Sequence, residues 1–127
     1  MTDEFTFDND IQPIEITRSC IFDSNSFSTG APVTIFGWGA TETVNQLNSN
    51  SLKLAENTIY DLVNSQFWLD EPYYQDFYDV NSMYSIYSSS SQGYVGDSGG
   101  PCVIQSDGQN YLAGIVSWGR RPELSNN

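Results

Sequence analysis

The stretch Gly96-Asp97-Ser98-Gly99-Gly100-Pro101 places a hydroxyl between residues that let a backbone turn sharply and approach another group closely. Each position has a mechanical reason. A side chain at residue 96 would crowd the space in which a substrate oxyanion sits, and the N–H groups of Gly96 and Ser98 offer that oxyanion two donors. Gly99 and Gly100 let the chain turn behind Ser98, and Pro101, with its fixed φ, sets the exit into the next strand. Ser98 is the candidate nucleophile. The competing reading is a glycine-rich surface turn.

Working outward, short β-type runs are separated by Gly, Pro and other turn residues: Val33 to Phe36, Leu52 to Ile59, Ser82 to Tyr87, Pro101 to Gln105 and Tyr111 to Ser117. The class expected is predominantly β. Asp107-Gly108, between the last two runs, is a hairpin signal, because glycine supplies the positive φ of a tight turn. One short helix is expected around Asp61 to Phe67, where Tyr60, Val63 and Phe67 recur near helical spacing. Residues 67 to 87 hold eight aromatic residues among Asp70, Glu71, Asp76 and Asp79. These rings are expected mainly to tuck a long loop onto the core, with a recognition surface as the alternative.

The hexapeptide at 96–101 resembles the nucleophile signature of the chymotrypsin-like (trypsin-like) serine peptidases, and further landmarks of that family flank it in order. Gly37-Trp38-Gly39 precedes it, Val116-Ser117-Trp118-Gly119 follows, and Ser117 comes 19 residues after Ser98, room for one hairpin. Ile11-Gln12-Pro13-Ile14 looks like the crossing from the family's first β-barrel to its second, and Leu52-Lys53-Leu54-Ala55 like the strand preceding its intermediate helix. The resemblance implies an all-β fold, mostly the second antiparallel barrel without its closing strand and C-terminal helix. It divides the chain into a crossing segment, 1–31, and most of that barrel, 32–121.

By the same resemblance Ser98 is the nucleophile, Gly96 and Ser98 line the oxyanion hole, and Ser117, Trp118 and Gly119 pair with an extended peptide or protein substrate. Gln92, six residues before the nucleophile, falls at the base of the primary specificity pocket, with Val95 also on the substrate side. Gln92 offers no fixed charge to a basic side chain. Asp97 resembles the buried carboxylate that pairs, in activated members, with an α-amino group released by zymogen cleavage. Burying it without a partner would be costly.

The chain also departs from the family pattern. It contains no histidine, so the commonest general base and the commonest metal ligand are both missing. A complete Ser-His-Asp triad cannot be assembled from these residues, and the family's catalytic His and Asp come from the first barrel. Asp8 and Asp10 are read as acidic surface rather than as triad substitutes. Val33, Ser85 and Tyr94 stand where cysteines are customary, and Cys102 sits two residues short of its customary position. Cys102 is expected to be a buried free thiol, not bridged to Cys20.

Composition narrows the partners. Four Lys and Arg against sixteen Asp and Glu give a formal charge of −12, which repels phosphate backbones and anionic membrane surfaces, so neither nucleic acid nor membrane is expected as a partner. The acidic start Met1-Thr2-Asp3-Glu4 leads into no apolar run, so no export signal is read there, and no stretch approaches the ~20 apolar residues of a membrane span. No metal or cofactor is expected. Two functions follow: a serine endopeptidase whose first barrel is supplied by a further segment, or an inactive homologue that keeps the groove as a protein- or peptide-binding module.

Overall fold

A computed structural model describes residues 4–17, 28–41, 47–61, 72–79, 81–90 and 93–119. The strands are β1 (Glu15–Ile16), β2 (Pro32–Gly37), β3 (Lys53–Tyr60), β4 (Ser85–Tyr87), β5 (Pro101–Ser106) and β6 (Gln109–Ile115), with a 3₁₀ helix at Pro72–Phe77. They form one sheet in the order β1-β6-β5-β2-β3-β4. All pairings are antiparallel except that of β1 with β6, where Glu15 and Ile16 lie beside Tyr111 and Leu112. Among the described residues the sheet is open at β1 and β4, a fragment of an all-β barrel.

Period-two patterning explains which side faces inward. Along β3, Ala55, Asn57 and Ile59 are buried while Leu54, Glu56, Thr58 and Tyr60 are exposed, the alternation that a pleated strand imposes. Val33 and Ile35 of β2 and Cys102 of β5 pack with Ala55 and Ile59 in one core, and Ile104 of β5 is buried as well. Asn57 is the buried polar exception, and its amide donates to the Ala55 carbonyl at 3.0 Å. The register sets Thr34 beside Val103 and Ile35 beside Cys102. Val33 and Ile104, positions at which the resemblance would put cysteines, hold buried aliphatic side chains.

The hairpin lies where Asp107-Gly108 announced it. Asp107 (φ 50°) and Gly108 (φ 77°) are both left-handed, the geometry whose twist matches that of two antiparallel strands. A bulge follows in β6: Cys102 pairs with Gly114 but Val103 with Leu112, leaving Ala113 as the extra residue.

One strand begins later than expected and another ends earlier. The run from Ser82 shortens to Ser85–Tyr87 because Asp79 organises a turn, its carboxylate accepting from the Asn81 N–H (3.0 Å) and Ser82 Oγ (2.7 Å), and its carbonyl from Met83 N–H. The last strand stops at Ile115, since Val116 bonds to the loop behind Ser98 instead of extending the ladder. The helix expected over Asp61 to Phe67 lies outside the described residues apart from Asp61.

Of the aromatic-rich stretch, Tyr84 does tuck inward. Its hydroxyl donates to the sulfur of Cys102 at 3.4 Å, and its ring lies where a Cβ on Gly114 would stand, 2.8 Å from the hydroxyl oxygen. Burial pushes both the Tyr84 phenol and the Cys102 thiol upward, so both stay protonated near neutrality. Cys102 is a free thiol, 4% exposed; Cys20 lies outside the described residues. Cys102 should alkylate more than about tenfold faster once the chain is unfolded, because the thiolate is the nucleophile and burial suppresses it. Mass-spectrometric mapping after iodoacetamide treatment, without reductant, checks this; modification only after reduction would mean a bridge.

Candidate functional site

Residues 93–100, which lead into β5, are pinned on two sides. On one side Val95 gives its carbonyl to the Ala40 N–H at 2.8 Å. On the other, Gly99 N–H donates to Val116 O (2.8 Å) and Val116 N–H to Gly100 O (2.9 Å). The chain is thus stitched to the end of β6, and Ser117–Gly119 follows directly on the Val116 that bonds to Gly99 and Gly100. Within the loop, Asp97 N–H reaches Tyr94 O at 3.0 Å and Gly100 N–H reaches Asp97 O at 2.9 Å, two turns back to back.

Gly96 has φ +96°, a conformation that residues with a Cβ rarely adopt. A Cβ there would also come within 2.9 Å of Asn48 Oδ1 and 3.1 Å of the Gly39 Cα. Ser98 and Gly96 are both exposed. Among the described residues neither the Gly96 nor the Ser98 N–H is consumed by a hydrogen bond, so both donors remain available to a ligand oxygen.

Asp97 is the most constrained side chain of the loop. Its Oδ1 accepts from the Gly39 N–H at 2.8 Å and its Oδ2 from the Tyr94 N–H at 2.9 Å. A Cβ on Gly37 would stand 1.9 Å from that Oδ1, and one on Gly39 2.5 Å from the same atom. Gly37 and Gly39, two apart, form a cradle that admits the carboxylate only because neither carries a side chain. The sequence drew attention to Gly37-Trp38-Gly39 as a landmark without giving it this task. Glycines at alternate positions near a strand end signal close approach of another group, but not which group approaches.

The substrate-side candidates are distributed as follows. Val95 is exposed, as are Ser117 and Gly119, and nothing lies within 4 Å of a Cβ built on Gly119. Trp118 is 39% exposed and stacks face to face on Tyr74, with ring centroids 5.6 Å apart and planes 10° off parallel. Gln92 lies outside the described residues. Tyr74 is a neighbour that the sequence did not single out, since only folding brings the 3₁₀ helix against residue 118. Among the described residues no group of three Cys, Asp or Glu could hold a metal ion.

Comparison with known proteins places this geometry in a family. The family model for trypsin matches residues 1–127. The chain is 28% identical to Trypsin-1 of Astacus astacus over 121 residues, covering 88% of this chain and 49% of that protein. It is 37% identical over 108 residues to Trypsin iota of Drosophila melanogaster, covering 83% and 38% respectively. It is 31% identical over 109 residues to the hepatocyte growth factor activator serine protease of Mus musculus, covering 86% and 16%. The chain therefore spans half or less of the length of these curated relatives. A family match that takes in residues 1–127, on a sheet that carries the Gly96–Gly100 loop between β4 and β5 and seats Asp97 in its glycine cradle, makes this chain a member of the trypsin family of chymotrypsin-like serine peptidases.

Proposed function

We propose that the chain carries the nucleophile half of a serine endopeptidase site acting on peptide or protein substrates. In this reading Ser98 Oγ attacks the scissile carbonyl carbon, the N–H groups of Gly96 and Ser98 receive the resulting oxyanion, and Asp97 holds the loop in that shape. Ser117–Gly119 aligns the substrate as an added strand, with Gln92 and Val95 on the side of the primary pocket. The histidine that takes the serine proton and the aspartate that orients it come from a first barrel outside these residues, against which residues 32–121 form most of the second. One observation carries the reading: the left-handed Gly96, with its N–H and that of Ser98 unspent among the described residues beside an exposed hydroxyl. Phe5, Phe7, Ile11, Ile14 and Ile16, all more than 40% exposed, add an apolar strip suited to burial beneath such a barrel.

Joining the chain to a histidine-bearing first barrel from a trypsin-family relative tests this. Labelling of the fusion at Ser98 by a fluorophosphonate, abolished by Ser98→Ala, is the expected result. A folded fusion that stays unlabelled sinks the peptidase reading and leaves the second one, a peptidase homologue that binds peptides without cleaving them. The absence of histidine from all 127 residues is the observation favouring that alternative.

A further inference from the structure

We infer that the groove formed by β2, β3 and residues 87–89 binds an alkylammonium or alkylguanidinium group, a short apolar stem that carries a cationic head. The inference goes beyond the peptidase reading and does not rest on it: among the described residues, none from the Gly96–Gly100 loop lines this groove.

Strand register builds the groove. Pro32 lies beside Thr58 and Thr58 beside Tyr87, while Thr34 and Glu56 lie side by side two residues further along. The period of two that turns Val33 and Asn57 inward leaves Glu56, Thr58 and Tyr87 exposed on the outer face of the sheet. Ser88 and Ser89, which follow β4, complete the lining. The groove measures about 500 Å³, inside the range of roughly 300 to 1,000 Å³ in which small-molecule sites fall.

Its chemistry favours a ligand that brings donors and positive charge. The Glu56 carboxylate accepts only, and its two oxygens take several donors at once. Thr58 Oγ1 donates to the Tyr87 carbonyl at 3.4 Å, which leaves the lone pairs of that hydroxyl for other donors. Lys53, the only lysine or arginine among the described residues, lies beside Gly37 at the other end of this strand pair. The Tyr87 ring is 56% exposed and tilts at 41° against that of Tyr60, with centroids 5.7 Å apart, and the faces of such rings attract cations. Pro32 and Val33 add apolar atoms to the lining, against which a methylene stem packs while its charged head stays among polar groups. A bare inorganic cation would leave those apolar atoms unused, an alcohol of the same length lacks the charge, and the formal charge of −12 repels an anion.

The test titrates the complete 127-residue chain with n-butylammonium or its neutral isostere 1-butanol, reading backbone amide shifts by NMR. The ammonium should move the amides of Thr34, Glu56, Thr58 and Tyr87 and bind about fivefold more tightly than the alcohol. That preference should shrink with added salt and disappear in Glu56→Gln, with unchanged amide shifts at Ile35, Cys102 and Ile104 showing the sheet intact. Tyr87→Leu is the second variant, and it should weaken the ammonium more than the alcohol. Two further ligands, acetyl-Gly-Arg-Gly-amide and its norleucine counterpart, separate the sources of the cation. Tighter binding of the arginine peptide than of n-butylammonium at the same amides assigns the groove to a basic side chain of a partner protein; the reverse order assigns it to a free amine. Equal binding of ammonium and alcohol, shifts confined to other parts of the chain, a preference that survives both substitutions, or no binding by either cation overturns the inference.

Discussion

Incubated alone with a fluorophosphonate, the 127-residue chain will leave Ser98 unmodified, and it will hydrolyse no peptide substrate at a measurable rate. A serine hydroxyl attacks only when a base removes its proton as the new bond forms, and histidine, the usual base, is absent from the chain. Asp97 cannot stand in: its carboxylate is turned away into the Gly37/Gly39 cradle and bonded to the Gly39 and Tyr94 N–H groups. Losing the histidine of an analogous triad lowers kcat by about 10⁶-fold, and what remains comes from binding and oxyanion stabilisation. Intact-mass measurement after prolonged incubation, followed by peptide mapping, is the check. Rapid stoichiometric labelling at Ser98 would mean that another group, such as a carboxylate, serves as the base.

The second large effect is structural. Gly37→Ala should destabilise the chain by roughly 2 to 4 kcal/mol, because the new methyl would overlap Asp97 Oδ1 and force the carboxylate away from two charge-assisted hydrogen bonds. Amide exchange at Gly39 and Tyr94 should accelerate with it. Gly119→Ala, where the added methyl meets nothing, should change stability by no more than about 0.5 kcal/mol. A double-mutant cycle isolates the cause. In an Asp97→Ala background there is no carboxylate to displace, so most of the Gly37→Ala cost should vanish, giving a coupling of about 1 to 3 kcal/mol. Strict additivity of the two substitutions would show that the cradle does not act through Asp97.

These expectations draw on parts of the molecule that differ in how readily the sequence reveals them. Turn chemistry at Asp107-Gly108 and alternation along Lys53–Tyr60 are short-range properties, set by φ preferences and by side chains pointing to opposite faces of one strand. Both were readable, and so was the motif around Ser98, whose glycines and hydroxyl are contiguous. The start of β4 was misplaced because Asp79 draws Asn81 and Ser82 into a turn, a local competition that β-propensity overlooks. The aromatic stretch divided in a way that composition could not foresee: Tyr84 went to Cys102 and Gly114, Tyr74 to Trp118, and Tyr73 and Phe77 stayed in solvent.

From the sequence alone came the β class, the hairpin, the Gly96–Pro101 motif and the absence of histidine, because each depends on neighbouring residues or on a residue type being absent altogether. The parallel pairing of β1 with β6, the partners of Asp97 and the ring beneath Trp118 were decided by the tertiary structure. The bond from Gly39 to Asp97 closes across 58 residues, and whether such a contact forms depends on strand register. Register is set by the burial of Val33, Ile35, Cys102 and Ile104 together, and shifting one strand by a single residue would turn its inward side chains to the other face.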